Sequence, residues 1–130
     1  MKTTEKIQAI YEAFGQGNVP FILENVADNF TWTDPSDPAI VPHSGTYVGR
    51  DGFLTFFQRL GGNTTTTAWE VSGYVSEGNK VVATGKHGVI VNATGKSHLN
   101  DWAMEWTFEG DKLVAGRSYY DTAGLEQAFK

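Results

Sequence analysis

Near the start of the chain, Ile7, Ile10, Tyr11 and Phe14 fall at i, i+3, i+4 and i+7, the spacing of one face of an α-helix. Thr3 or Thr4 is available as its N-cap and Glu5 lies in the first turn, while Gly15 and Gly17 end it. Asn18 followed by Pro20 starts a second, short helix expected to run through Val26. From residue 29 to 34 the period changes to two, so that Phe30, Trp32 and Asp34 share one face of a strand and Thr31 and Thr33 take the other. The stretch DPSDPAIVPHSG then shows no period and holds three of the four prolines. Ordered loops of this length are uncommon unless they build or cover a site, so it is either a pocket rim or a plain surface loop.

A third helix is expected from about Arg50, with Phe53, Phe56, Phe57 and Leu60 again at helical spacing and Gly61-Gly62 as its stop. From Thr65 to Asp121 extended segments are separated by three turn signals, EGNK, NATGKS and EGDK. This predicts a four-stranded antiparallel meander of strands about 10 to 13 residues long, well above the usual 5 to 6, which favours a sheet that bends around something. A short helix, Thr122 to Phe129, closes the chain. On the third meander strand Trp102, Met104, Trp106 and Phe108 alternate with Asp101, Ala103, Glu105 and Thr107, so the aromatic set faces inward. Carried to the strand before, that assignment turns Val81, Ala83, Gly85, His87, Val89 and Val91 inward too. Gly85 and Gly116 would be gaps in this wall, marking a tight contact or a cavity. The fold class is therefore α+β: a cone-shaped, curved antiparallel sheet wrapped over three N-terminal helices, with a short C-terminal helix.

Composition sharpens the picture. The 130 residues suit one domain, 1–130, with a single core. Four Trp, five Tyr and eight Phe are more than so small a core needs, which points to an aromatic-lined pocket for a small apolar molecule. A net charge of -5 without a Lys/Arg cluster argues against nucleic acid. The lack of Cys removes thiolate chemistry and fits a reducing compartment. Neither a signal-peptide core nor a membrane-spanning run is visible, so no membrane partner and a cytoplasmic location are expected. The mixed polar outer face of the sheet either stays solvated or receives a second copy, and a homodimer through that face is the expectation.

The order of elements, together with FTWTDP, SGTYVGRDGFLTFF, WTFEGDKLV and RSYYDTAGL, resembles the SnoaL-like polyketide-cyclase group of the nuclear-transport-factor-2-like superfamily over the whole chain. The turn before the last strand departs locally, reading Gly110-Asp111-Lys112 where the family usually has Asp-Gly-Lys. The resemblance implies a cone with a deep pocket between sheet and helices. Its members include isomerases, cyclases, dehydratases, epoxide hydrolases and non-catalytic proteins, so the pocket residues must decide the function. The ketosteroid isomerase branch carries a proton-shuttling Asp-Pro after its first strand, and Asp34-Pro35 looks like that pair. The branch's two oxyanion donors correspond here to Ile10 and Met104, so isomerisation in that form is not expected.

Asp34 is thus the candidate base. Walled by Trp32 and Phe side chains it would lose hydration, raising its pKa toward general-base values; the alternative is an Asx turn organising the loop. His87, mid-strand on the inner face, is the second catalytic candidate, able to hydrogen-bond Asp34 or a ligand and to titrate near neutral pH; a buried structural role is the alternative. The aromatic walls would come from Trp32, Phe56, Phe57, Trp69, Trp102 and Trp106. Asn100, Met104, Ser118 and Tyr120 complete the substrate-binding candidates, each equally acceptable as core. His43 and His98 are expected at the solvent-exposed surface, and Asp121 as the N-cap of the last helix. No His/Asp spacing suggests a metal, and no cofactor is expected. The expected function is cofactor-free proton-transfer chemistry on an apolar carbonyl compound. The rival is a non-catalytic ligand-binding or dimerisation module, and epoxide hydrolysis would need more inward polar residues than these.

Overall fold

The computed structural model describes residues 2–130. Helix α1 spans Lys2–Gly15, so Thr3 and Thr4 lie inside its first turn instead of capping it. Helix α2 is Val19–Glu24, and Asn18 Oδ1 accepts from the Phe21 N–H at 3.4 Å, the N-cap role expected of it. It stops short of the expected end because Val26 is fully buried as the first residue of strand β1, Val26–Asp34, where it pairs with Leu113. A four-residue strand β2, Gly45–Val48, precedes helix α3, Gly49–Asn63. No strand is expected from the sequence at β2, because only Tyr47 of its four residues is buried and it carries no readable alternation. The meander is β3 Thr64–Glu77, β4 Lys80–Val91, β5 Ser97–Glu109 and β6 Lys112–Tyr120, and helix α4 is Thr122–Ala128.

The sheet runs β2-β1-β6-β5-β4-β3. It is the expected curved antiparallel sheet, with one parallel pair, β1 with β6, which the strand pattern alone does not reveal. The parallel pair arises because α3 and the meander return the chain to the far side of β1. Irregularities at Thr66/Ala68 and Val71/Gly73 on β3, and at Thr107/Phe108 on β5, bend the long strands into an unclosed cone. Its inner face is the predicted one: Val81, Ala83, Val89, Val91, Trp102, Trp106, Phe108, Gly116 and Ser118 are all buried. The outer face carries cross-strand pairs, Lys80–Glu105 and Lys86–Asp101, both at 2.7 Å.

Two glycines let the aromatic wall lie flat on the sheet. A Cβ at Gly85 would collide with the Glu70 carbonyl and come within 2.5 Å of the Trp102 ring. One at Gly116 would sit 2.8 Å from both Trp106 and Trp32. The missing side chains therefore mark tight contacts, not voids. Helix α3 crosses the β1 side with Phe53 and Phe56 buried, and α1 places Tyr11 and Phe14 against Trp69. Asp121 caps α4, its Oδ1 accepting from the Gly124 N–H at 3.0 Å, as expected.

Candidate active site

Between the inner face of the sheet and helices α1 and α3 lies a cavity of about 90 Å³. Every residue named above as a site candidate lines it: Asp34 and His87, the rings of Trp32, Phe56, Phe57, Trp69, Trp102 and Trp106, and Asn100, Met104, Ser118 and Tyr120. Ile10 lines it as well, so both positions matched to the oxyanion donors are apolar groups on its wall.

The polar corner is made where β1 ends. Asp34 pairs with Gly45, the first residue of β2, and this closes the proline-rich loop so that Ser44 comes to rest beside the Asp34 carboxylate. Asp34 is buried, and the Ser44 hydroxyl donates to its Oδ1 at 2.6 Å. The Tyr120 hydroxyl, from the end of β6, donates to the same oxygen. Tyr120 has one proton and gives it to Asp34, so Ser36, 2.8 Å from the Tyr120 oxygen, is the donor of that contact. Both hydroxyls converge on Oδ1, which leaves Oδ2 as the oxygen able to accept a proton from a ligand. Burial, and then the neighbouring Asp34 charge, push the Tyr120 phenol well above its ordinary value, so it stays a donor. The Asx-turn alternative falls to a neighbour: Asp37 Oδ1 accepts from the Ala39 N–H at 2.9 Å, and Asp34 makes no such bond.

The histidines depart from expectation. His87 lines the cavity but its Nε2 meets Thr66 Oγ1 at 3.1 Å, not Asp34. Packed edge-on to Trp69 and Phe14, it is pushed down to about 4 by burial, with His43 adding repulsion, so it is neutral near pH 7 instead of titrating there. His43, expected at the surface, is 3 % exposed and lines the cavity. Val41, fully buried against Val89 and Leu125, draws its stretch of the loop inward. Burial lowers the His43 pKa and the Asp34 carboxylate opposes that shift. His98 is half-buried and donates from Nε2 to Asn100 Oδ1 at 2.9 Å, leaving only the NH₂ end of Asn100 for a ligand.

Most of the remaining lining is aromatic. Trp106 Nε1 donates to the Tyr11 hydroxyl at 2.7 Å, whose pKa burial drives far above its usual value. Trp69 stacks on Trp102 at 5.1 Å and Trp32 on Trp106 at 5.3 Å. The indole nitrogens of Trp32 and Trp102, and Nδ1 of His43, are buried without a hydrogen-bond partner. Each such group costs about 1–3 kcal/mol when left unpaired. Among the described residues, no cluster of three or more His, Asp or Glu is placed to hold a metal, and no helix is long and apolar enough to cross a membrane.

The SnoaL-like domain family matches residues 7–116, which takes in most of α1, helices α2 and α3, Asp34 with its proline-rich loop, and the sheet as far as Gly116. The chain belongs to that family. Solved structures show the fold of this SnoaL-like protein across almost its full length. An NTF2-like protein of unknown function from Burkholderia pseudomallei K96243 superposes with a TM-score of 0.91 at 21% identity, covering 100% of this chain and 98% of the other. TerC co-crystallised with polyporic acid gives 0.84 at 20%, covering 99% and 98%. A candidate SnoaL-like polyketide cyclase from Mesorhizobium loti gives 0.75 at 21%, covering 92% and 100%. No curated protein sequence matches the chain. Identities this low carry the fold alone, and leave the chemistry to the residues of the cavity.

Three members of the corner were not found by reading the sequence: Ser36, His43 and Ser44. All lie in the loop without period, and Ser44 reaches Asp34 through the closure of that loop by the pairing of β2 with β1. The fourth, Tyr120, was found as a pocket hydroxyl but not as a partner of Asp34, since β6 reaches β1 by the parallel pairing.

Proposed function

We propose that the cavity is the active site of a cofactor-free enzyme that moves a proton next to a carbonyl group of a small apolar compound, as in an isomerase, cyclase or dehydratase. The observation that carries this reading is the buried Asp34 carboxylate, held through Oδ1 by Ser44 and Tyr120 in a cavity whose wall is largely aromatic and aliphatic. With Oδ1 fixed, Oδ2 is positioned to take a proton from carbon α to the carbonyl. Asp34 becomes a neutral acid, the electron pair moves to the carbonyl oxygen as an enolate, and Asp34 returns a proton, its own or one it has exchanged with solvent, to another carbon or the same one. Among the described residues no Lys or Arg lines the cavity, and both lining histidines are depressed toward neutrality by burial. Enolate stabilisation then falls to neutral N–H and O–H donors. The polyketide-cyclase and polyporic-acid relatives agree with an oxygenated carbon skeleton as substrate.

The test is proton exchange. Incubation with 2-tetralone in D₂O, followed by ¹H NMR, should show enzyme-dependent loss of the α-proton signal. Asp34→Asn keeps an amide oxygen to accept from Ser44 and Tyr120, so it should fold and bind while exchange drops by about 10²-fold or more. Exchange at the wild-type rate in Asp34→Asn would sink the assignment of the base. Binding without exchange in either protein would leave a ligand-binding module.

A further inference from the structure

We infer that the indole N–H groups of Trp32 and Trp102 are a pair of ligand-binding donors, and that the ligand is an uncharged, planar compound carrying two separate acceptor oxygens. This deepens the proposed function, since it rests on the same cavity being the ligand site.

Both tryptophans line the cavity, both are buried, at 2 % and 4 % exposure, and neither indole nitrogen has a partner in the protein. Trp106, on the same wall, differs: its N–H is consumed by Tyr11. The two free donors are also held in place. Trp32 lies against Gly116 and stacks on Trp106, and Trp102 lies against Gly85 and stacks on Trp69. A rigid donor in an enclosed aromatic site rewards an acceptor without further ordering cost.

The two donors flank the carboxylate. Trp32 is two residues before Asp34 on the same face of β1. Trp102 pairs across β5–β6 with Tyr120, whose hydroxyl donates to Asp34. An acceptor at each indole therefore places the body of the ligand across the base. Two donors on different strands select two oxygens on one flat body more readily than one oxygen alone. Charge selects in the same direction, because among the described residues the cavity holds a carboxylate and no Lys or Arg, so an anionic ligand would meet repulsion without a counter-ion.

The test is calorimetric titration with 1,4-naphthoquinone, 1-tetralone, naphthalene and 1-naphthoate, which carry two neutral oxygens, one, none and an anionic pair. The expected order is naphthoquinone tightest, then tetralone, then naphthalene, with naphthoate weakest. Trp32→Phe and Trp102→Phe should each weaken naphthoquinone by about 5- to 10-fold while leaving naphthalene within about twofold. In the wild-type protein, naphthoquinone but not naphthalene should move the ¹H and ¹⁵N resonances of both indole N–H groups, a readout that needs no variant to fold. Equal affinity for naphthoquinone and naphthalene, no binding of either, or tighter binding of naphthoate overturns the inference. Asp34→Asn separates the two readings: if it abolishes exchange while the naphthoquinone preference persists, both stand, and if the preference persists without any wild-type exchange, only the catalytic reading falls.

Discussion

The cavity has two polar regions built on opposite terms. In the corner at the end of β1, Ser36 donates to Tyr120, and Tyr120 and Ser44 donate to one oxygen of Asp34, so each hydroxyl is spent within the protein. On the tryptophan wall, two of the buried indole N–H groups are spent on nothing. A satisfied network stabilises and fixes what it holds, whereas an unsatisfied buried donor lowers stability until a ligand arrives. The corner therefore orients a single carboxylate, and the wall keeps its hydrogen-bonding capacity for the molecule that enters.

The sharpest way to break this contrast is within the wall itself, where Trp106 belongs to the satisfied class and Trp102 to the other. Trp106→Phe strips the buried Tyr11 hydroxyl of its partner and should cost about 1–3 kcal/mol beyond the effect of the smaller ring. Trp102→Phe trims the ring similarly and forfeits no hydrogen bond, so its loss should be visibly smaller. Urea unfolding with a constant m-value reads both. Equal losses would mean that the Trp106–Tyr11 bond contributes nothing and that the two indoles are alike.

The wall was legible in the sequence and the corner largely was not. Trp102, Met104, Trp106 and Phe108 share a strand of strict period two, so one face determines all four, and antiparallel pairing carries that face to His87, whereas the inward face of the last strand, with Ser118, comes from the family resemblance. Asp34 was reached by the same alternation on β1. Ser44, which donates to it, and Ser36 and His43, which stand around the same corner, lie in a segment whose conformation depends on distant contacts: Val41 buried against Val89 and Leu125, and the Asp37 N–H donating to Glu126 on α4 at 3.1 Å. No local period encodes such contacts. His87 shows the limit of the wall reading, since its face was right but its partner lay on β3, where irregular pairing after Thr66 hides the register.

Acid should distinguish the two regions next, because the wall holds His87 neutral. The ordinary imidazole value is 6.5 and burial brings His87 to about 4, so above pH 6.5 folded and unfolded forms are both uncharged and no stability is at stake. As pH falls below 6.5 the unfolded chain takes up the proton first, and stability is lost progressively until the folded form also protonates near pH 4. At pH 5 the loss attributable to His87 is on the order of 1–2 kcal/mol. Comparing urea midpoints at pH 7.5 and pH 5 in the wild type and in His87→Gln checks it. The variant should lose less on acidification, retaining the smaller effect of His43, which burial depresses in the same direction. An unchanged acid sensitivity would place its origin outside the wall.

The smallest effect is expected at the outer link of the corner. Ser36 is buried, and because the Tyr120 proton is committed to Asp34, the Ser36 hydroxyl can only donate to Tyr120. Ser36→Ala removes that one neutral bond, for about 0.5–1.5 kcal/mol of stability, and leaves both donors on Asp34 Oδ1 in place. Exchange activity should therefore fall only a fewfold. Ser44→Ala removes a donor from the carboxylate itself and frees Oδ1 to compete with Oδ2 for the proton, so it should lower exchange more. If Ser36→Ala proves the more damaging of the two in the same NMR assay, the proton order along Ser36, Tyr120 and Asp34 runs the other way, and Tyr120, not Asp34, holds the proton that moves.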